Sequence, residues 1–241
     1  MSRFPTILKS AFSQVCPPVL LPAARTAYRL LAGRRKAQLA SPHEQDLEVY
    51  WDPEMEQMLE TWGEGNVWDE IQLLMAVRTG RVLDIACGTG KTMQILSGLA
   101  GLEVHGCDIS DRLIARARAR GIASNRLHVG DATTLPYPDK HFDYAYSIGS
   151  LEHFTEEGID RVLAECRRVT RVASFHQHPI TRGGHDEGWI KTAQSYFNNT
   201  VDWWMRHYSA TFPVVRVLPS RWEDVRSVGK WFVCVNEMDT R

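Results

Sequence analysis

Cysteine is scarce and poorly placed for metal or disulfide work. The five residues (Cys16, Cys87, Cys107, Cys166, Cys234) are odd in number and never stand in C-x-x-C spacing. That argues for reduced thiols and against a zinc cluster of the usual spacing. No apolar run approaches the ~20 residues of a membrane span, and Pro17-Pro18 interrupts the most apolar part of the N-terminus. An h-region of signal-peptide length is also missing, so the expectation is a soluble, cytoplasmic chain. Charge of one sign is missing too: a net charge of −1 over 241 residues leaves no global field for nucleic acid. There is no internal repeat and no low-complexity tract. The 44% apolar and 10% aromatic residues that are present suffice for one sizeable core and exclude general disorder.

The charge is unevenly distributed. Residues 1–43 hold seven basic side chains and no acidic one, whereas the rest of the chain carries 21 basic and 29 acidic. Arg25, Arg29 and Lys36 recur at near-helical spacing beside Leu20, Ala24, Ala27 and Leu31, which reads as a short basic amphipathic helix. Attachment to an anionic membrane surface through residues 1–40, docking to a partner and a floppy arm all fit such a segment. The division is therefore 1–43, a partly helical basic arm, and 44–241, one folded domain.

Within the domain, 44–78 reads as helical, broken by Trp62-Gly63-Glu64-Gly65-Asn66. Strands are expected at 81–85, 102–106, 126–129, 142–148 and 172–176, with helices at 91–99, 110–120 and 156–170. A polar loop, a Trp-rich helix at about 190–209 and two late strands at 214–218 and 230–235 follow. Strands alternating with helices at this spacing imply βαβ units and a mostly parallel sheet.

Asp84-Ile85-Ala86-Cys87-Gly88-Thr89-Gly90 follows the first strand and opens a helix. Gly88 and Gly90 allow a sharp turn and close approach to a ligand, and the helix offers unpaired N–H groups. A phosphate loop of the form G-x-x-x-x-G-K-S/T is excluded, because its first glycine would have to be Ile85. The dinucleotide fingerprint is weakened, because its third small residue is Met93. An acidic residue at the strand end followed by G-x-G suits a ligand with a charged amino-acid end. Asp108 closes the second strand, where a carboxylate can accept both ribose hydroxyls. Asp131 follows the third strand in Gly130-Asp131-Ala132 and can accept from an adenine amine. Each acid alone could simply cap a helix. Three at consecutive carboxyl ends of parallel strands point to an adenosine-containing ligand.

With these motifs, and with Phe142-Asp143-Tyr144 running into Ser147-Ile148-Gly149-Ser150-Leu151-Glu152-His153-Phe154, the sequence resembles the class I S-adenosylmethionine-dependent methyltransferases over roughly 80–176. The resemblance implies a Rossmann-like α/β fold: a seven-stranded sheet of order 3-2-1-4-5-7-6, strand seven antiparallel, under an N-terminal helical cap. It also implies S-adenosylmethionine as cofactor. Asp84, Gly88 and Gly90 would face its methionine end, Asp108 the ribose, Asp131 and Ala132 the adenine, and Ser147 the sulfonium, with Ile109 a further cofactor contact. The family's third loop glycine is Ala86 or Met93 here. Tyr50-Trp51-Asp52, Trp62–Asn66 and Gly188-Trp189-Ile190 further resemble a subgroup associated with bacterial surface-polysaccharide and lipid-linked glycan synthesis.

Methyl transfer is an in-line displacement, and a hydroxyl acceptor needs a base. The candidates are His153, after the fourth strand, and His176 and His178, which share a face of the fifth. With His185, Asp186 and Glu187 the last two could instead hold a metal, although H-x-H lacks a third fixed ligand. Arg182 and His185 are candidate acceptor contacts. So are Tyr50 and Trp51, which with Trp62 and Trp68 either close over the cofactor or pack as a cap. Trp203 and Trp204 read as core. The arginines at 112, 116, 118 and 120 read as a solvated face. The expected activity is O-methylation of a saccharide or another small polar acceptor. A natural-product methyltransferase and a non-catalytic S-adenosylmethionine-binding regulator are the alternatives. Nucleic acid is not expected, because no Asn/Asp-Pro-Pro-aromatic motif follows strand four.

Overall fold

The computed structural model describes residues 45–236, so the basic arm read at 1–43 lies outside them. A 3-10 turn, Leu47–Trp51, leads into α1, Pro53–Met58, whose start is set by Pro53 and by the Asp52 carboxylate accepting from the Glu54 N–H at 2.8 Å. Helix α2, Val67–Met75, buries Val67, Trp68, Ile71 and Met75. The sequence then alternates: β1 Gly80–Ile85, α3 Lys91–Leu96, β2 Leu102–Asp108, α4 Asp111–Ala119, β3 Leu127–Val129, β4 Phe142–Ile148, α5 Glu156–Val169 and β5 Thr170–Thr181. A two-stranded hairpin, β6 Trp189–Ile190 and β7 Tyr196–Phe197, precedes α6 Val201–Thr211, β8 Val214–Glu223 and β9 Ser227–Val235.

The main sheet has the order β3-β2-β1-β4-β5-β9-β8. Once the small hairpin is set aside, this is the expected 3-2-1-4-5-7-6. Strands β1 to β5 pair in parallel and β9 runs antiparallel to both β5 and β8. Period-two alternation divides the side chains into two cores. Leu83, Ile85 and Ala145 meet α5 and α6, whereas Val82, Val104 and Tyr146 meet α2, α3 and α4. Helix α5 shows how locally this is encoded. Thr155 caps it through the Gly158 N–H, Glu156 and Glu157 open it, Arg167 and Arg168 close it, and Ile159, Val162, Leu163, Cys166 and Val169 form its buried face.

Two expectations need correction. The Trp-rich helix begins at Val201, not near 190. Thr200 caps it through the Trp203 N–H and is itself held by Asp186, while Tyr196-Phe197 upstream pair as a strand. Strand β5 runs on to Thr181 because β9 pairs with it from Ala173 to Thr181. Among the described residues no helix is long and apolar enough to cross a membrane. The four described cysteines are free and buried.

Candidate functional site

At the carboxyl end of β1 the chain leaves the sheet through Ala86 (φ 57°), Gly88 (φ 55°) and Gly90 (φ 71°), three left-handed residues that fold the loop back before α3. A β-carbon at Gly88 would meet only Leu59, at 3.3 Å. The family's third glycine is not needed: Met93 and Cys87 pack instead on Gly106 of β2, where a β-carbon would stand 2.6 Å from the Met93 sulfur and 2.8 Å from the Cys87 sulfur.

Three acids stand along this edge. Asp84 is buried and accepts from the Tyr146 hydroxyl at 2.8 Å; burial holds its carboxyl well above the usual range. Asp108 accepts from the Gly88 and Ser110 N–H groups, both at 2.9 Å. Burial outweighs those bonds and raises it to about 6. Neither acid faces a cation of the chain in these contacts, so both fit a ligand that brings hydrogen-bond donors and positive charge. Asp131 is exposed and accepts from Thr133 N–H at 2.8 Å, so it caps a turn while remaining available; Ala132 beside it is buried and Ile109 half-buried. This acid-lined, glycine-turned edge fits the adenosine and amino-acid ends of S-adenosylmethionine.

The N-terminal segment covers it. The Tyr50 carbonyl accepts from the Ser110 hydroxyl at 2.8 Å, and the Trp51 indole donates to Asp111 at 2.7 Å. Gln194 donates to the Tyr50 hydroxyl at 3.2 Å. Asp46 accepts from the N–H and hydroxyl of Ser195, whose carbonyl accepts from His153 Nδ1 at 2.8 Å, and Gln45 donates to the His153 carbonyl. Residues far apart in sequence thus enclose Tyr50 and His153 at the ends of β2 and β4. Trp62 lies over Gly149, 3.0 Å from where a β-carbon would be, and meets Trp68 edge-on. Trp68 itself is core.

The arginines of α4 are not a purely solvated face. Arg112 and Arg116 pair with Glu56, and Arg120 pairs with Glu60 at 2.5 Å while donating to the Thr89 carbonyl of the glycine loop at 3.0 Å. These pairs hold α1 and the turn after it over the loop.

His176 and His178 leave the candidate site. Both are fully buried on the α5–α6 side, and burial lowers each to about 3, so they stay neutral. His176 is bonded to Ser147 and Ser174, and His178 stacks on Phe232 and contacts Tyr208. Ser147 is corrected with them: it is fully buried, and its hydroxyl turns into the core toward His176 at 2.8 Å. The metal grouping disperses, because Asp186 holds Thr200 and Glu187 accepts from Thr181. Arg182 is occupied by Glu223 and the Asp224 carbonyl at the β8–β9 turn, and His185 contacts Gly183. Neither is bonded to the Tyr50 cluster. The acid that the sequence reading passed over is Glu152. It is buried, raised by burial to about 8, and lies 3.7 Å from His153 Nε2. Its place directly before His153 was the available signal.

Residues 82–172 match a family model described as a methyltransferase domain. The chain is 33% identical over 132 residues to the O-methyltransferase cnsE of Penicillium expansum, covering 52% of this chain and 47% of the relative. It is 30% identical over 128 residues to the 27-O-demethylrifamycin SV methyltransferase of Amycolatopsis mediterranei, covering 51% and 46%. It therefore spans about half the length of these relatives. Among solved structures, a SAM-dependent methyltransferase of Methanosarcina mazei superposes with a TM-score of 0.56 at 17% identity, covering 69% of this chain and 97% of the other. That likeness speaks for the fold.

Proposed function

We propose that this chain, whose residues 82–172 match a methyltransferase-domain family model, uses S-adenosylmethionine to methylate a hydroxyl of a small polar acceptor. The observation that carries the reading is the edge itself: a glycine turn between two buried carboxylates, Asp84 and Asp108, that no cation of the fold pairs in the contacts described. S-adenosylmethionine, when bound, supplies an activated methyl group on a positive sulfur. Gly88 admits the amino-acid end close to the backbone, while Gly90 lets the loop turn against Ala117 and Ile122. Asp108 accepts from the ribose hydroxyls with the lone pairs left by Gly88 and Ser110, and Asp131 with Ala132 holds the adenine. Tyr50 and Trp62 cover the edge and exclude water. His153, oriented by Ser195, shapes the acceptor side. O-methylation is favoured because two relatives are named for it.

The test is calorimetric titration with S-adenosylhomocysteine, with NADH as control. The expected result is micromolar binding of the first alone, weakened at least tenfold by Asp108→Ala, as loss of a charged hydrogen-bond acceptor implies. Failure of the wild type to bind would overturn the reading. Methyl uptake from labelled cofactor by a panel of hydroxylated small molecules then identifies the acceptor.

A glycan or lipid-linked saccharide as acceptor is a second reading. The basic segment 1–43 favours it, because seven basic side chains without an acid suit an anionic membrane surface. Under it, deletion of 1–40 abolishes sedimentation with anionic vesicles and leaves S-adenosylhomocysteine affinity intact. Under the first reading the deletion changes neither.

A further inference from the structure

Glu152 is 4% exposed, and its Oε2 has no hydrogen-bond partner. A buried carboxyl oxygen left unbonded is costly and calls for a partner from outside the chain. Its surroundings say which. Oε1 lies 3.7 Å from His153 Nε2 and 3.7 Å from where a β-carbon on Gly149 would be, the first residue beyond β4. The Trp62 ring comes within 3.0 Å of that same β-carbon position, and Gly149 donates to the Gln177 carbonyl of β5. Tyr50, bonded to Ser110 after β2, is also bonded to Gln194, the neighbour of the Ser195 that holds His153. Glu152 therefore stands on the β4 side of the same edge on which Asp84 and Asp108 face the cofactor.

We infer that Glu152 is the proton acceptor of the reaction: its Oε2 receives a hydrogen bond from the attacking hydroxyl and takes that proton. As the acceptor oxygen bonds to the methyl carbon, the carbon–sulfur bond breaks with its electron pair going to sulfur, and the proton ends on Glu152. The inference rests on the methyltransferase reading above. His153 is the positioning residue, fixed by Ser195 on one nitrogen and facing Glu152 with the other. Burial raises the Glu152 carboxyl to about 8, which makes it a strong base once a positive sulfur nearby favours its ionised form.

Sinefungin tests this without a known acceptor, because its ammonium group replaces the transferable methyl. Calorimetry compares sinefungin with S-adenosylhomocysteine from pH 6 to 8.5 in the wild type, in Glu152→Gln and in His153→Gln. The groups facing Glu152 are His153 on its own turn, Tyr50 from the N-terminal segment and Tyr208 from α6. Burial keeps both tyrosines neutral over this range. The expected result is a sinefungin preference that rises with pH in the wild type and in His153→Gln, and that falls at least tenfold and flattens in Glu152→Gln. S-adenosylhomocysteine affinity should stay within twofold in Glu152→Gln, which also reports that this variant is folded. An unchanged preference in Glu152→Gln, or a slope lost only in His153→Gln, overturns the inference. Failure of both ligands to bind the wild type overturns the methyltransferase reading, and this inference with it.

Discussion

At Gly90 the backbone sits at φ 71°, and a β-carbon there would stand 2.5 Å from Ile122 Cδ1 and 2.9 Å from Ala117 Cβ. Two penalties coincide, left-handed backbone and overlap with α4. Gly65 has nearly the same φ, 73°, with nothing within 4 Å. Urea denaturation should therefore show Gly65→Ala costing about 1 kcal/mol from backbone alone and Gly90→Ala about 2–4 kcal/mol. Equal costs would mean that α4 yields freely. The glycine loop was legible in sequence because its meaning is local: spacing and φ say what the backbone can do. The roles of His176 and His178 were not. H-x-H puts both rings on one face of a strand, but which face meets helices and which meets ligand depends on packing elsewhere. Here they meet Tyr208, Trp204 and Phe232.

The cap is held by two kinds of contact between elements. Glu70 of α2 accepts from the Ser220 hydroxyl at 2.7 Å, the Arg221 N–H at 2.6 Å and the buried Trp231 indole at 2.8 Å, which holds its carboxyl below the usual range despite burial. Glu56 of α1 instead meets two arginines that are 42% and 52% exposed. Thermal or urea unfolding should find Glu70→Ala costing about 2–4 kcal/mol, since it strands the Trp231 donor, and Glu56→Ala under about 1 kcal/mol. Comparable losses would show that the α1–α4 pairs matter more than their exposure suggests. Helix α5 could be read residue by residue from cap to buried face. The 190–200 stretch could not, because the start of α6 is decided by Asp186 holding Thr200, fourteen positions away.

Across the molecule, two sets of ionisable groups pull stability in opposite directions with pH. His176 and His178 are lowered to about 3, so their neutral forms favour the fold above the ordinary histidine range, and that stability is lost as pH falls from about 6.5. Glu152 is raised to about 8. Its protonated form favours the fold below about 4.5, and that stability is lost as pH rises through 8. Denaturation across pH should show Glu152→Gln matching the wild type near pH 4 and exceeding it at pH 8.5 by on the order of 2–4 kcal/mol. A constant difference at all pH values would contradict the buried charge.

The sequence by itself determined the strand order's raw material, the glycine turn and the acids at successive strand ends. Period-two burial, cap residues and left-handed glycines act over a few neighbouring positions and need no partner to be read. The tertiary structure alone decided that the Tyr50 carbonyl meets the Ser110 hydroxyl, that Asp46 reaches Ser195 across 149 positions, and that Glu152 is buried beside His153 with one oxygen unbonded. Those arrangements depend on which faces meet once α2 and the N-terminal segment close over the sheet, and burial then sets the chemistry of each carboxylate.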